Sequence, residues 1–175
     1  MPDLKWDVSR LSAGERNALK RNAGVMMCSA SMQAIEAFYR AQIRPCKGYA
    51  ENAWFAALCM QCLWREEDHP LIKPFPEILR TTYQNPDATD STRNRCTNFF
   101  DLFWAEDGFL LGKISNLVRK AKSEHPEIMP DFSALADDLN HWNQENHYVQ
   151  RKWLNIICRT VNEAEKKEEE ENNVD

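Results

Sequence analysis

The stretch ENAWFAALCMQCLWREE, residues 51–67, is apolar nearly all the way round a helical projection. A helix with no polar side has nothing to turn toward water, so it belongs in the middle of a bundle with other elements packed around it. The rest of the chain supplies such elements. Apolar residues recur at spacings of three and four almost throughout, and no run alternates in the way a half-buried strand does. The expectation is an all-α protein.

Local signals place the helices. Ser12 with Glu15 predicts a capping box, in which hydroxyl and carboxylate each satisfy a free N–H of the first turn, and Gly24 ends the helix that follows. A second helix, over about 30–42, carries Met32, Ile35, Tyr39 and Ile43 on one side. Beyond the apolar helix, Pro70, Pro74, Pro76 and Pro86 leave room for one short helix near 77–83, so this stretch reads as a connection between two helical halves. Four helices follow, at about 91–105, 109–124, 132–143 and 146–161. Their apolar stripes are Cys96, Phe99, Phe103; Leu110, Ile114, Leu117, Ala121; Phe132, Leu135, Leu139, Trp142; and Val149, Trp153, Ile156, Thr160. Short connections favour antiparallel neighbours. The expected organisation is an N-terminal helical domain over 1–88, a C-terminal four-helix bundle over 89–162 and a disordered acidic tail over 163–175.

The tail, EAEKKEEEENNVD, holds seven acids and two lysines, which accounts for the whole formal charge of −5. The body before it is therefore balanced. A balanced body with an acidic tail is unlike a freestanding nucleic-acid-binding domain, which carries a clear positive excess, so any phosphate contact has to be local. No apolar run reaches the length of about 18 residues that a membrane span needs, and the N-terminal MPDLKWDVSR is charged where a signal peptide is apolar. A cytoplasmic protein without a membrane partner is expected, with its six cysteines reduced and buried.

Candidate chemistry is sparse. Cys59 and Cys62 have the spacing of half a zinc site, with Cys46 and His69 nearby in sequence, but no second ligand pair follows and two small core residues is the simpler reading. Asp137 and His141 stand one turn apart, as they could on any solvated helix, and Glu66, Glu67 and Asp68 cluster acid without metal-ligand partners. No nucleophile elbow, zinc-protease motif or phosphate-cradling glycine loop is present, so no catalytic residue, metal or cofactor is expected. Basic groups remain: Arg16, Lys20 and Arg21 on the first helix, Lys113, Arg119, Lys120 and Lys122 on the helix from Phe109, and Arg151 with Lys152 before Trp153. Taken singly, each reads as a solvated helix face.

The order of four segments adds to this. GERNALKRNAG at 14–24, AFYR at 37–40, DLNHW at 138–142 and VQRKW at 149–153 together resemble the small subunit of the type I-E CRISPR surveillance complex, the CasB family of Cascade, over about two thirds of the chain. The resemblance implies a noncatalytic helical strut, present in two copies. It lines the inner face of the guide-RNA-bearing filament, joins the filament's head and base, and helps hold the opened target DNA, with filament subunits and the large subunit as partners. By motif, Lys20 and Arg21, Arg40, and Arg151 with Lys152 match basic positions of the family, and Lys113 and Arg119 fall where it is usually basic. With Arg16 and Lys120 these are the expected phosphate contacts. The chain departs from the family in having Ser115 and Asn116 where a pair of arginines is common, Phe75–Leu79 in place of an S-L-G-x-A-L segment, and the acidic tail. These departures imply weak intrinsic affinity, with binding that depends on assembly. The alternative is a protein-interaction adaptor without nucleic-acid contact, using an aromatic surface around Trp54, Phe55 and Trp64.

Overall fold

Why α1 (Ala13–Arg21) begins where it does is visible in its first turn. In the computed structural model, which describes residues 5–64, 70–104 and 108–159, the Ser12 N–H donates to the Glu15 carboxylate at 2.8 Å and the Glu15 N–H to the Ser12 hydroxyl at 3.3 Å. The helix closes at Asn22. Two residues on, Gly24 adopts φ +93° and turns the chain away.

The next helix, α2 (Met32–Ala41), corrects an expectation. Its buried side is Ala34, Ala37, Phe38 and Ala41, while Met32, Tyr39 and Ile43 are 76%, 49% and 44% exposed. Alanines let α2 lie close against α1; of the expected stripe Met32, Tyr39 and Ile43 turn outward and Ile35 alone packs against the core. By contrast α3 (Glu51–Gln61) is as the sequence requires, with every residue from Ala53 to Met60 buried. Trp54, Phe55 and Trp64 are buried too, which removes the aromatic surface of the adaptor reading.

The proline-rich stretch is more structured than a connection needs to be. It forms β1 (Leu71–Lys73) and α4 (Phe75–Tyr83), with Pro76 in the first turn, where a missing N–H costs nothing. β1 pairs in parallel with β2 (Ile128–Pro130), Leu71 opposite Ile128 and Lys73 opposite Pro130. Three-residue strands are too short to show alternation, so sequence reading passes over them.

In the second half, α5 (Asp90–Arg95) is shorter than expected. The chain turns through 97–101 so that Phe99 and Phe100 both point inward, stacked 4.8 Å apart, and Phe103 is 43% exposed instead of completing a stripe. The bounds of α6 (Phe109–Glu124) are those predicted; α7 (Phe132–Asn140) and α8 (Tyr148–Cys158) are slightly shorter. α7 packs mainly on α3, and α8 on α4. Buried residues from Trp6 to Ile157 form one apolar cluster. The protein is thus mostly helical, and the tail lies outside the described residues.

Small polar contacts pin this packing. Asp131 caps α7, its carboxylate accepting from the Ala134 N–H at 3.0 Å. Asp131→Ala is expected to cost about 1 kcal/mol of unfolding free energy in urea titration, the usual loss of an N-cap. Buried Lys5 donates to Ser133 and to the Asp137 carboxylate, at 2.9 and 2.8 Å, fastening the N-terminal segment to α7. All six cysteines are free; Cys59, Cys62 and Cys96 are buried, Cys46 is half-buried, and Cys28 and Cys158 are exposed, against the expectation that all are interior.

Candidate nucleic-acid interface

The inner face of α6, including Leu110, Ile114, Leu117, Val118 and Ala121, is buried. At about 100° per residue, Lys113, Asn116 and Lys120 then share the edge of that helix that looks toward α5. Arg95 at the end of α5 and Asn98 in the following turn complete a cleft of about 350 Å³ floored by Leu117. Lys120, half-buried, lies 3.6 Å from the exposed Glu124, a loose pair. Arg95 and Lys113 have no carboxylate partner among the described residues. Three cations and two amides around one depression provide point charges for phosphate and neutral donors and acceptors for sugar or base edges.

The other predicted residues fall outside this cleft. Lys20 and Arg21 are exposed in the last turn of α1, where their charge complements the helix dipole. Arg16 is half-buried on the same helix, near enough to Cys62 for its charge to oppose the rise in that thiol's pKa. Arg119 is exposed on α6 but about 100° round from Lys120. Arg151 is exposed at the start of α8. Arg40 and Lys152 are engaged internally: Arg40 pairs with Glu15 at 2.5 Å and Glu36 at 3.6 Å, and Lys152 with Asp138 at 2.5 Å. Lys122 caps the end of α3 by donating to the Leu63 carbonyl and lying over the Trp64 ring. Thus Lys113 and Lys120 are brought together, and Arg95, Asn98 and Asn116 are the members that sequence reading missed. Arg95 was legible only as a polar neighbour of Cys96.

Two other candidates take definite places. Burial holds the Cys62 thiol up to about 12 and that of Cys59 well above its ordinary value, disfavouring the thiolates a metal needs. Among the described residues no group of three or more His, Cys, Asp or Glu could hold a metal, and His69 lies outside them. Asp137 and His141 form no carboxylate–imidazole pair; the His141 ring contacts the Asp137 carbonyl oxygen at 2.8 Å while the Asp137 carboxylate serves Lys5. Glu66, Glu67 and Asp68 are outside the described residues.

The family model for CRISPR-associated protein Cse2 (CRISPR_cse2) matches residues 15–155. The chain belongs to the Cse2 family. Solved structures agree in fold. The crystal structure of M. ruber CasB is 18% identical, with TM-score 0.66 and 90% of each chain covered. A chain of a CRISPR RNA-guided surveillance complex is likewise 18% identical, with TM-score 0.67, 89% of this chain and 88% of that one being covered. Nothing among curated proteins matches. The resemblance to the CasB small subunit drawn from the sequence is borne out.

The Cse2-like segments acquire a physical reason from their contacts. Glu15 of the first segment and Arg40 of the second are each other's partners, joining α1 to α2. Asp138 of the third accepts from the Trp153 indole N–H of the fourth at 2.7 Å, and Gln150 donates to the Trp142 carbonyl at 2.7 Å, locking α7 to α8. Much of what makes this chain resemble Cse2 is therefore joinery. The two departures in α6 also separate: Ser115 is buried against Gly24, whereas Asn116 lines the cleft.

Proposed function

We propose that this Cse2-family chain is a noncatalytic small subunit of a type I-E CRISPR surveillance complex, bracing the guide-RNA filament and holding target heteroduplex and displaced DNA by their backbones. Its partners in this reading are the filament and large subunits, guide RNA, target DNA and a second copy of itself, in the cytoplasm. The observation that carries the reading is the Cse2 match over 15–155 together with a cationic cleft that gathers charge on a body of no net positive excess. Base pairing reads sequence in RNA-guided recognition, so a supporting subunit needs cations at fixed points and no base-specific groups. Lys20, Arg21, Arg119 and Arg151 extend the contact along the surface. In the described residues no helix is long and apolar enough to cross a membrane.

The test is a complex reconstituted with its guide and partner subunits. Replacing Arg95, Lys113 and Lys120 by alanine is expected to weaken retention of displaced single-stranded DNA about tenfold and to flatten the salt dependence of log K by about 2, as the loss of three phosphate contacts requires. Replacing Lys20, Arg21, Arg151 and Lys152 together should weaken it by a comparable amount, because Lys152 is already paired with Asp138 and three open cations are lost. Binding that is unchanged across salt in both variants removes the reading. The adaptor alternative predicts a pull-down of protein without nucleic acid.

A further inference from the structure

We infer that the outer face of α2 and the loop 43–49 form a stacking track for an unpaired nucleic-acid strand, with the Tyr39 and Tyr49 rings receiving bases and Arg44 and Lys47 meeting phosphates. This rests on the proposed reading that the subunit touches nucleic acid. It goes beyond that reading by putting bases in contact, at residues outside the α5–α6 cleft.

Charge is the first observation. Residues 16–50 hold six basic side chains, Arg16, Lys20, Arg21, Arg40, Arg44 and Lys47, against Glu36 alone. Arg16 is half-buried and Arg40 is held by carboxylates, but Lys20, Arg21, Arg44 and Lys47 are exposed. Helix pairing sets these four at the two ends of one face. Glu15 near the start of α1 pairs with Arg40 near the end of α2, and Asn22 just past α1 donates to the Ser31 hydroxyl just before α2 at 3.4 Å, so the two helices run antiparallel. Lys20 and Arg21 therefore lie at the Met32 end of α2, while Arg44 and Lys47 follow its other end. The ten residues of α2 span about 15 Å. That is the length of about four nucleotides at the 3.4 Å spacing of stacked bases.

Exposed rings are the second observation. Of the nine large apolar side chains exposed among the described residues, four are here: Met32, Tyr39, Ile43 and Tyr49. Tyr39 commits its hydroxyl to the fold, donating to the Glu51 carboxylate at 3.0 Å, and leaves its ring on the surface. Tyr49 is 74% exposed on a pinned turn: the Ala50 N–H donates to the Lys47 carbonyl at 2.8 Å, Ala50 itself is buried, and the Cys46 N–H donates to the Gln42 side-chain oxygen at 3.1 Å. The Lys47 ammonium stands 6.0 Å from the Tyr49 ring centroid, and the Arg44 guanidinium rests 5.8 Å from that of Trp54. A base laid on Tyr49 thus has a cation within reach of its own phosphate. Exposed apolar side chains gathered in one place mark a contact surface, and here the charge selects the partner. Rings interleaved with cations are the two requirements of a surface that takes single strands without reading their sequence.

The test uses the full chain at low salt, titrated to millimolar concentration with oligothymidylate or with an abasic oligomer of equal length. In heteronuclear NMR, oligothymidylate should move the ring resonances of Tyr39 and Tyr49. The abasic strand, which offers phosphates alone, should move the amides around Lys47 and leave the rings in place. Rings that stay put, or that move equally with both strands, overturn the proposal. In fluorescence anisotropy, Tyr49→Ala should weaken oligothymidylate binding about tenfold and Tyr49→Trp should retain it, while the abasic oligomer binds all three proteins alike. Lys47→Ala should flatten the salt dependence of log K by about 0.7 for both strands, the loss of one phosphate contact on a single strand. Should the variant with alanine at Arg95, Lys113 and Lys120 lose oligothymidylate while Tyr49→Ala keeps it, the track falls and the cleft stands; should neither lose it, both readings fall. Failure of Tyr49→Ala to assemble into the reconstituted complex, with oligothymidylate binding unchanged, makes this face a protein contact and overturns the track.

Discussion

Trp153→Ala is expected to lower the unfolding free energy by about 3–5 kcal/mol, the usual range for deleting a fully buried large aromatic side chain. Trp153 is fully buried, with its ring 5.3 Å from Trp142 and 5.6 Å from Phe75 at steep angles, and Phe99 and Phe100 each at 6.3 Å. Its loss opens a cavity among rings that α4, the turn after α5 and the turn after α7 contribute. It also leaves Asp138, largely covered, with Lys152 but without the indole donor. Trp153→Phe separates the two effects by keeping a ring while deleting the N–H. It should cost less, about 1–3 kcal/mol, the scale for leaving a buried acceptor short of a partner. Urea titration of both proteins checks this, and a loss below about 1 kcal/mol in Trp153→Ala contradicts the packing described. Since whole-domain stability is about 5–15 kcal/mol, the alanine variant should unfold near working temperature.

Gly24→Ala should be nearly as damaging although it adds a single methyl group. A Cβ at Gly24 would stand 2.9 Å from the Cβ of Ser115 and 3.2 Å from its hydroxyl, with the Leu111 carbonyl at 3.5 Å, and φ is +93°. The left-handed conformation costs a non-glycine residue about 1–2 kcal/mol and overpacking a further 1–3, so a loss of about 2–5 kcal/mol is expected. A double-mutant cycle identifies the contact. Ser115→Gly alone costs about 1 kcal/mol as a helix-interior glycine. Combined with Gly24→Ala it should destabilise by at least 0.5 kcal/mol less than the two losses added, about the smallest coupling such a cycle resolves. Strict additivity would place the strain in φ alone. Ser115→Ala is the control: the hydroxyl is buried without a hydrogen-bond partner among the described residues, so its removal should be close to neutral.

What the sequence made legible follows from the range of each signal. Helix period and capping are local, so the start of α1, both ends of α6 and the all-round burial of α3 could be read directly. The face of α2 could not. Ala34, Ala37 and Ala41 compete with Met32, Ile35 and Tyr39 as a stripe, and only the close approach of α1 decides between them. Strand pairing of Leu71 with Ile128, and the packing of α3 on α7, join distant segments and leave no local trace. Among basic residues the sequence gives charge but not employment. Arg40 and Lys152 look like Lys113, yet two are committed to carboxylates within the fold and the third is open to a ligand. Arg95 carries no local mark either, because only the packing of α5 beside α6 sets it next to Lys113 and Lys120.

The packing of α3 on α7 has a consequence for biosynthesis. A helix apolar on every side leaves the ribosome long before the segment that covers it is translated, and contacts between remote segments are slow to form. Through most of elongation the nascent chain therefore carries a greasy rod covered only on the side where α1 and α2 pack, a substrate for holding chaperones, and a stalled or truncated message ending before Phe132 should yield aggregates instead of a shorter folded product.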